Sequence, residues 1–316
     1  MGNVKPDVVL KDFWRENHRF ADLFNGVCFH GKEILQPDSL EELDTEVSGI
    51  IQMKDYKETL TRARDVVKKM AGGVEFVIFA EENQHRIHYG MPLRNMLYDA
   101  MGYLKECQEI TRKHRSSGEK LAKDEFLSGL RKGDRLHPII SLTIYYGEAD
   151  WDGPRSLCDM IVDMPEEIQA VFSDYPMHLL EVRDSGKYLF HNREVEAVFE
   201  ISREAMAGHF DRIQEKYWDT PVSSELLTVI GTMIHSKELQ AIGESKEVDN
   251  MCTAIEKLKQ ECLEKGIEEG RIEGMEEGRI LLIRNLLVSG MSDEDIRKYA
   301  KVTDREIQKA KELPES

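Results

Sequence analysis

The run Val74-Glu-Phe-Val-Ile-Phe-Ala80 is β-branched and aromatic almost throughout, and it stops abruptly at Glu81-Glu82-Asn83-Gln84. Such a run reads as a buried strand. A glycine pair, Gly72-Gly73, precedes it, and before the pair lies Thr61-Arg-Ala-Arg-Asp65-Val-Val-Lys68. Folding the first stretch onto the second through the glycine turn makes a hairpin, so the chain is built around a sheet. Asp65 and Glu82 are 17 residues apart; at roughly 3.3 Å per residue a strand pair bridges that separation naturally. Because side chains alternate along a strand, Glu82 and Gln84 share one face while Glu81 and Asn83 share the other.

Two acids at neighbouring strand ends suit a divalent cation, since hard ions such as Mg²⁺ take oxygen ligands, commonly one or two carboxylates plus water and substrate phosphate. Spacing alone favours a second reading: strand ends are usually polar because they meet solvent.

The rest of the chain alternates between helical and extended patterns. Leu10 to Phe24 reads as one helix, with Phe13, Phe20, Leu23 and Phe24 on its apolar face. Asp22 on this helix is either an additional site acid or an ordinary surface acid. Val27 to Leu35 reads as a short extended or looped stretch. Pro92 opens a helix where its missing N–H costs least, with Leu93, Leu97, Ala100, Met101 and Leu104 directed to the core. Arg94 and Tyr98, four apart, are neighbours on that helix. Lys113 to Asp134, basic and polar around Ser116-Ser117-Gly118, reads as a mobile insertion. Pro138 to Tyr146 is a near-continuous apolar run, the mark of a strand covered on both faces. Trp151 to Pro154 reads as a turn, Ser156 to Ile161 as the start of a helix, and His178 to Val182 as another strand. Asn192 to Trp218 and Ser223 to Ile234 read as closing amphipathic helices.

Four segments in order, Arg64–Lys68, Glu82-Asn83-Gln84, Tyr89–Asp99 and Leu136–Gly147, resemble the PD-(D/E)XK nuclease family of YhgA-like putative transposases, also called recombination-promoting nucleases. The resemblance covers the first two thirds of the chain. In that family an Asp on one strand and a Glu-x-Gln on the next form the active site, and Asp65, Glu82 and Gln84 match those positions. Gln stands where the broader superfamily carries Lys. The resemblance implies a restriction-endonuclease-like α/β core, a central mixed sheet flanked by helices, and DNA as substrate in recombination, mobile elements or defence. It also lends Arg94 a role against a phosphate, Tyr98 a role as a hydrogen-bonding brace, and Asp22 a supporting role.

The formal net charge of −17 opposes nucleic-acid binding as a whole, because affinity comes largely from Lys and Arg neutralising phosphates. The excess acid is uneven: Leu40 to Glu46 and the C-terminal segment hold much of it, whereas Lys57 to Lys69 and Arg112 to Lys123 are richer in cations. Those two stretches are candidates for a DNA-facing side, or are plain solvated faces. The five cysteines, Cys28, Cys107, Cys158, Cys252 and Cys262, are scattered without a Cys-x-x-Cys pair, which argues for reduced thiols and against a zinc site. No apolar run is long enough to cross a bilayer, and the N-terminus lacks the apolar core of a signal peptide. The expectation is a cytoplasmic protein with no membrane partner.

Past the closing helices the sequence changes character. Gly266, Gly270, Gly274 and Gly278 recur every fourth residue. Each interior glycine costs a helix about 1 kcal/mol relative to Ala, so the segment is either a frayed linker or a helix that pairs with another. Ile280 to Ser289 forms a helix stopped by Gly290, Ser292 begins a second, and Thr303-Asp-Arg-Glu306 has the form of a capping box opening a third. The spacing resembles a helix-turn-helix, though the mixed charges of the last helix suit a small assembly bundle better than a base-reading helix.

The expected organisation is therefore a nuclease-like domain over 1–235, a helical glycine-repeat linker over 236–279 and a small helical module over 280–316. The expected activity is that of a deoxyribonuclease: Asp65 and Glu82 hold Mg²⁺ or Mn²⁺, and Gln84 orients water or phosphate. The alternative is a catalytically inactive DNA-binding or assembly protein on the same fold, forming homo-oligomers through its C-terminal helices. A hydrolase of another type finds no support, since the sequence has neither a Gly-x-Ser-x-Gly elbow nor a His-Glu-x-x-His helix.

Overall fold

The computed structural model describes residues 6–43, 46–53, 56–63, 66–70, 73–80, 87–118, 122–147, 149–217, 220, 222–245 and 251–312. The chain forms two compact units, Met1–Ile255 and Glu256–Ser316. In the first, helices α1 (Pro6–Arg15) and α2 (Asn17–Cys28) precede strands β1 (Leu40–Glu42), β2 (Glu46–Met53), β3 (Tyr56–Ala63), β4 (Val66–Met70) and β5 (Glu75–Ala80). Then come α3 (Met91–Ser116), α4 (Lys123–Ser128), β6 (Ile139–Tyr145), α5 (Glu166–Gln169) and β7 (His178–Glu181). Helices α6 (Arg193–Met206), α7 (Phe210–Tyr217), α8 (Ser224–Met233) and α9 (Lys237–Ser245) follow.

Five strands form a mixed sheet in the order β1-β4-β5-β6-β7. The β1–β4 and β4–β5 pairs are antiparallel, whereas β5–β6 and β6–β7 are parallel. The hairpin expected around the glycine pair is thus β4–β5. Gly73 holds its turn at φ 98°, with its N–H donating to the Met70 carbonyl at 2.8 Å. A Cβ there would also stand 1.9 Å from the His137 ring, so backbone freedom and close approach both demand glycine. Strands β2 and β3 form a separate two-stranded sheet whose register runs from Glu46↔Ala63 to Met53↔Tyr56. The sequence reading missed this hairpin and merged the end of β3 with β4.

Both faces of the five-stranded sheet are covered, and β6 is buried as its apolar run implies, with Leu142 and Ile144 essentially inaccessible. On one face α1 and α2 pack against β4 and β5, with Phe24 edge-on to Phe76 at 5.1 Å between centroids. On the other, Met91, Tyr98 and Met101 of α3 join Val67, Val77, Tyr145 and Trp151 in one core cluster. The helix expected over Leu10–Phe24 is broken in two. Glu16 sits in extended conformation between α1 and α2 and caps the latter, its carboxylate accepting the Arg19 N–H at 2.8 Å. The break lets Arg19 ion-pair with Glu194 of α6 and Glu225 of α8, both at 2.7 Å, with its guanidinium over the Phe13 ring.

Two further expectations are corrected. Leu93, Ala100 and Leu104 of α3 are exposed, and its inner face instead carries Asn95, Asp99 and Gly102. The stretch from Ser156 to Ile161 makes only a single 3₁₀ turn at Cys158–Met160, because Ser156 bridges to Pro176 and Asp159 caps the Arg155 and Ser156 amides.

The second unit begins within α10 (Met251–Val288) and continues through α11 (Asp293–Ala300) and α12 (Asp304–Glu312). Helix α10 runs without interruption through all four repeat glycines, and nothing lies within 4 Å of the position a Cβ would take at any of them. Ile283, Ile296, Val302, Ile307 and Ala310 form a local core. Ser292 caps α11, and Thr303 with Glu306 closes the expected capping box at α12. Among the described residues, no helix is long and apolar enough to cross a membrane.

Candidate functional site

The hairpin and the strand beside it set the geometry. β4 runs antiparallel to β5, so Val66, the first residue of β4, lies at the same end of the pair as Ala80, the last of β5. Ala80 in turn pairs with Ile144 near the carboxyl end of β6. Asp65, Glu82 and Gln84 lie outside the described residues; Asp65 directly precedes β4, and Glu82 and Gln84 follow β5.

Helix α3 returns from this end of the sheet and descends β6 in the opposite direction. Asn95 Nδ2 donates to Thr143 Oγ1 at 3.0 Å, Ser141 Oγ donates to Asp99 Oδ1 at 2.6 Å, and the Ile139 N–H donates to the Tyr103 hydroxyl at 3.1 Å. Further down, the His137 N–H donates to Glu106 at 3.0 Å. Asp99 also accepts the Tyr175 hydroxyl. Burial, and next this bond, push the Tyr175 pKa well up, so the phenol stays protonated and donating. Neither Asn95 nor Asp99 was singled out from sequence, yet a signal existed: polar residues at i and i+4 of a helix, matched by Ser141 and Thr143 at i and i+2 of an otherwise apolar strand.

Arg94 and Tyr98 are neighbours as expected, the guanidinium lying 5.8 Å from the Tyr98 ring centroid. Arg94 is half-buried, whereas Tyr98 is packed inside the core cluster. Asp22 is also buried; its Oδ1 accepts the His191 N–H at 2.9 Å, and its Oδ2 has no hydrogen-bond partner. That contact pins the loop before α6 against α2.

Lys68 does not face outward: it is 2% exposed and its Nζ donates at 2.5 Å to both the Arg15 carbonyl at the end of α1 and Asn17 Oδ1. Burial pulls its pKa below the ordinary lysine value, against the opposing pull of Glu42 and Glu16. Arg112, Lys113 and Arg115, by contrast, stand exposed on the last turns of α3. Beyond them, Gly129 and Asp134 are tied back to α3, with His114 Nε2 2.8 Å from Asp134 Oδ2 and Thr111 Oγ1 donating to the Gly129 carbonyl at 3.3 Å.

Among the described residues, no group of three or more His, Cys, Asp or Glu side chains is arranged to hold a metal ion. No family model, curated protein or solved structure matches the chain.

Proposed function

We propose that the chain is a Mg²⁺- or Mn²⁺-dependent endonuclease acting on DNA phosphodiesters, and that its sheet is a restriction-endonuclease-like core. The observation that supports this reading is the strand arrangement: the start of β4, which Asp65 precedes in sequence, and the end of β5, which Glu82 follows, lie at one end of the sheet beside the carboxyl end of β6. Open α/β sheets bind ligands outside the carboxyl ends of their parallel strands.

The donor set fits the cation. Asp65, Glu82 and the Gln84 amide offer oxygen only, which suits Mg²⁺ or Mn²⁺ and not a soft metal. A cation held there polarises the phosphate and lowers the pKa of a bound water. Gln84 has no basic form and serves to orient the water or the phosphate by hydrogen bonding. Arg94, on the first turns of α3, is the phosphate-facing cation of this reading. Tyr98 is its brace through packing, and Asp22 supports the fold from the opposite face. A cytoplasmic setting accompanies the reading.

The test is incubation of purified protein with supercoiled plasmid and Mg²⁺ or Mn²⁺. The reading requires nicking that EDTA abolishes and that Asp65→Ala lacks; equal behaviour of wild type and Asp65→Ala removes the enzyme assignment.

A second reading, a catalytically inactive DNA-binding or assembly protein that forms homo-oligomers, is favoured by one observation. Helix α10 leaves its four repeat glycines open while Leu263 and Ile267 are exposed nearby, a surface on which another helix could offset the glycine cost. DNA retention without turnover supports it over the first.

A further inference from the structure

We propose that the cationic end of α3, together with the turn that follows α4, is a second nucleic-acid docking surface that grips the phosphate backbone far from the carboxyl end of β5. The inference rests on the nuclease reading only for the identity of the polyanion.

The surface is built from two segments. Arg112, Lys113 and Arg115 are exposed on α3, and Lys132 and Arg135 are exposed on the turn. Among the described residues, none of the side chains of Arg112, Lys113, Arg115 or Lys132 is ion-paired. Two of the nearby acids are engaged within the turn itself, whereas Glu109 of α3 and Asp124 of α4 are exposed. Asp134 accepts the Arg131 N–H at 2.7 Å and faces His114, while Glu125 accepts the Ala122 N–H at 3.0 Å and the Lys132 N–H at 3.2 Å. The same His114–Asp134 contact, with Thr111 on Gly129, joins the turn to the end of the helix. On a chain of net charge −17, the stretch from Glu109 to Arg135 carries eight Lys and Arg against five Asp and Glu, a local excess of positive charge that favours the approach of a polyanion.

The position follows from helix geometry. α3 runs antiparallel to β6, with Asn95 beside Thr143 near the carboxyl end of the strand and Glu106 at His137 just before its start. From Asn95 to Arg112 is 17 residues and to Arg115 is 20, which at about 1.5 Å per residue is about 25–30 Å. Duplex DNA rises about 3.4 Å per base pair, so one duplex touching both places must span about eight base pairs. The two contacts therefore act as separate grips on a long substrate, and the cationic one works without metal.

The experiment measures binding of a 30-base-pair duplex by fluorescence anisotropy in EDTA, across a salt series, for wild-type protein, for Arg112→Glu with Arg115→Glu, and separately for Lys132→Glu. All three positions are exposed, and circular dichroism melting checks that each variant folds. The expected result is binding weakened about tenfold or more in the double variant, with the salt slope reduced by about 2, and a smaller loss in the same direction for Lys132→Glu. Unchanged affinity and slope in both variants overturn the proposal, as does displacement of the duplex by polyglutamate as readily as by unlabelled DNA, which would assign the surface to acidic protein. Plasmid nicking run in parallel separates the two claims: charge-dependent binding without Asp65-dependent nicking leaves this surface standing and removes the nuclease reading, and the converse removes only the surface.

Discussion

Val66 of β4 stands directly opposite Ile78 of β5. With a side-chain period of two, regular continuation of both strands carries the face of Asp65 to Glu81 and Asn83, and the other face to Glu82 and Gln84. Bringing Asp65 and Glu82 onto one face takes a single extra residue after Ala80, a β-bulge of the kind concentrated beside active sites. The nuclease account therefore predicts that Glu82→Ala lowers Mg²⁺-dependent nicking by more than the roughly 10–100-fold typical of outer-shell changes, while Glu81→Ala stays near wild type. The opposite ranking in a plasmid assay assigns the metal to Glu81 and an unbulged strand.

Lys68 is a structural residue, and its replacement reads out in stability rather than in DNA affinity. Lys68→Met keeps the apolar stem but strands the Arg15 carbonyl and the Asn17 side chain, at a cost of about 1–3 kcal/mol. Lys68→Ala adds a cavity and costs about 2–5 kcal/mol. Urea unfolding measures both, and anisotropy with duplex DNA is expected to show no change for the folded Met variant.

Asp22 holds the His191 amide and is expected to be dispensable for chemistry. Asp22→Asn retains an acceptor and is predicted to nick plasmid at the wild-type rate, whereas Asp22→Ala loses about 1–3 kcal/mol of stability through the unsatisfied amide. A loss of nicking by Asp22→Asn at unchanged melting temperature would make Asp22 a site acid after all.

Acid should release the turn after α4. The Arg131 N–H, and next the His114 side chain, hold the Asp134 carboxyl below the usual range, which for a free Asp is about 3.9. A carboxyl with a depressed folded-state pKa contributes stability that is complete above its unfolded value and is lost as pH falls through the folded one. The tie between turn and α3 is thus intact at neutral pH and loosens only below the ordinary carboxylate range. The Arg131 amide resonance in an NMR pH titration reports it, and the same titration in Asp134→Asn is expected to be flat.

Much of this architecture was legible where local chemistry decides it. The β4–β5 turn was announced by its glycines, the central strand by an unbroken apolar run, and the helix α12 by the Thr303 capping box. What escaped notice depends on partners distant in sequence. The inner face of α3 looked as if it should be leucine, but it carries Asn95, whose Nδ2 donates to Thr143, and Asp99, which accepts from Ser141 and Tyr175, partners 42 to 76 residues away; Leu93 and Leu104 are left outside. The break at Glu16 was hidden because the apolar rows of α1 and α2 are in phase enough to read as one helix, and Glu is not a usual cap. Of the candidate site, the supporting residues Arg94, Tyr98 and Asp22 are located, and the strand pair that flanks Asp65 and Glu82 has the antiparallel sense that the spacing implied.

The central claim is that Asp65 and Glu82 share one cation, and an anomalous difference map from Mn²⁺-soaked crystals tests it most directly. The account predicts one peak with a carboxylate oxygen of each residue at about 2.1 Å. A map at saturating Mn²⁺ with no peak between them, or with a peak held by only one of the two, contradicts it.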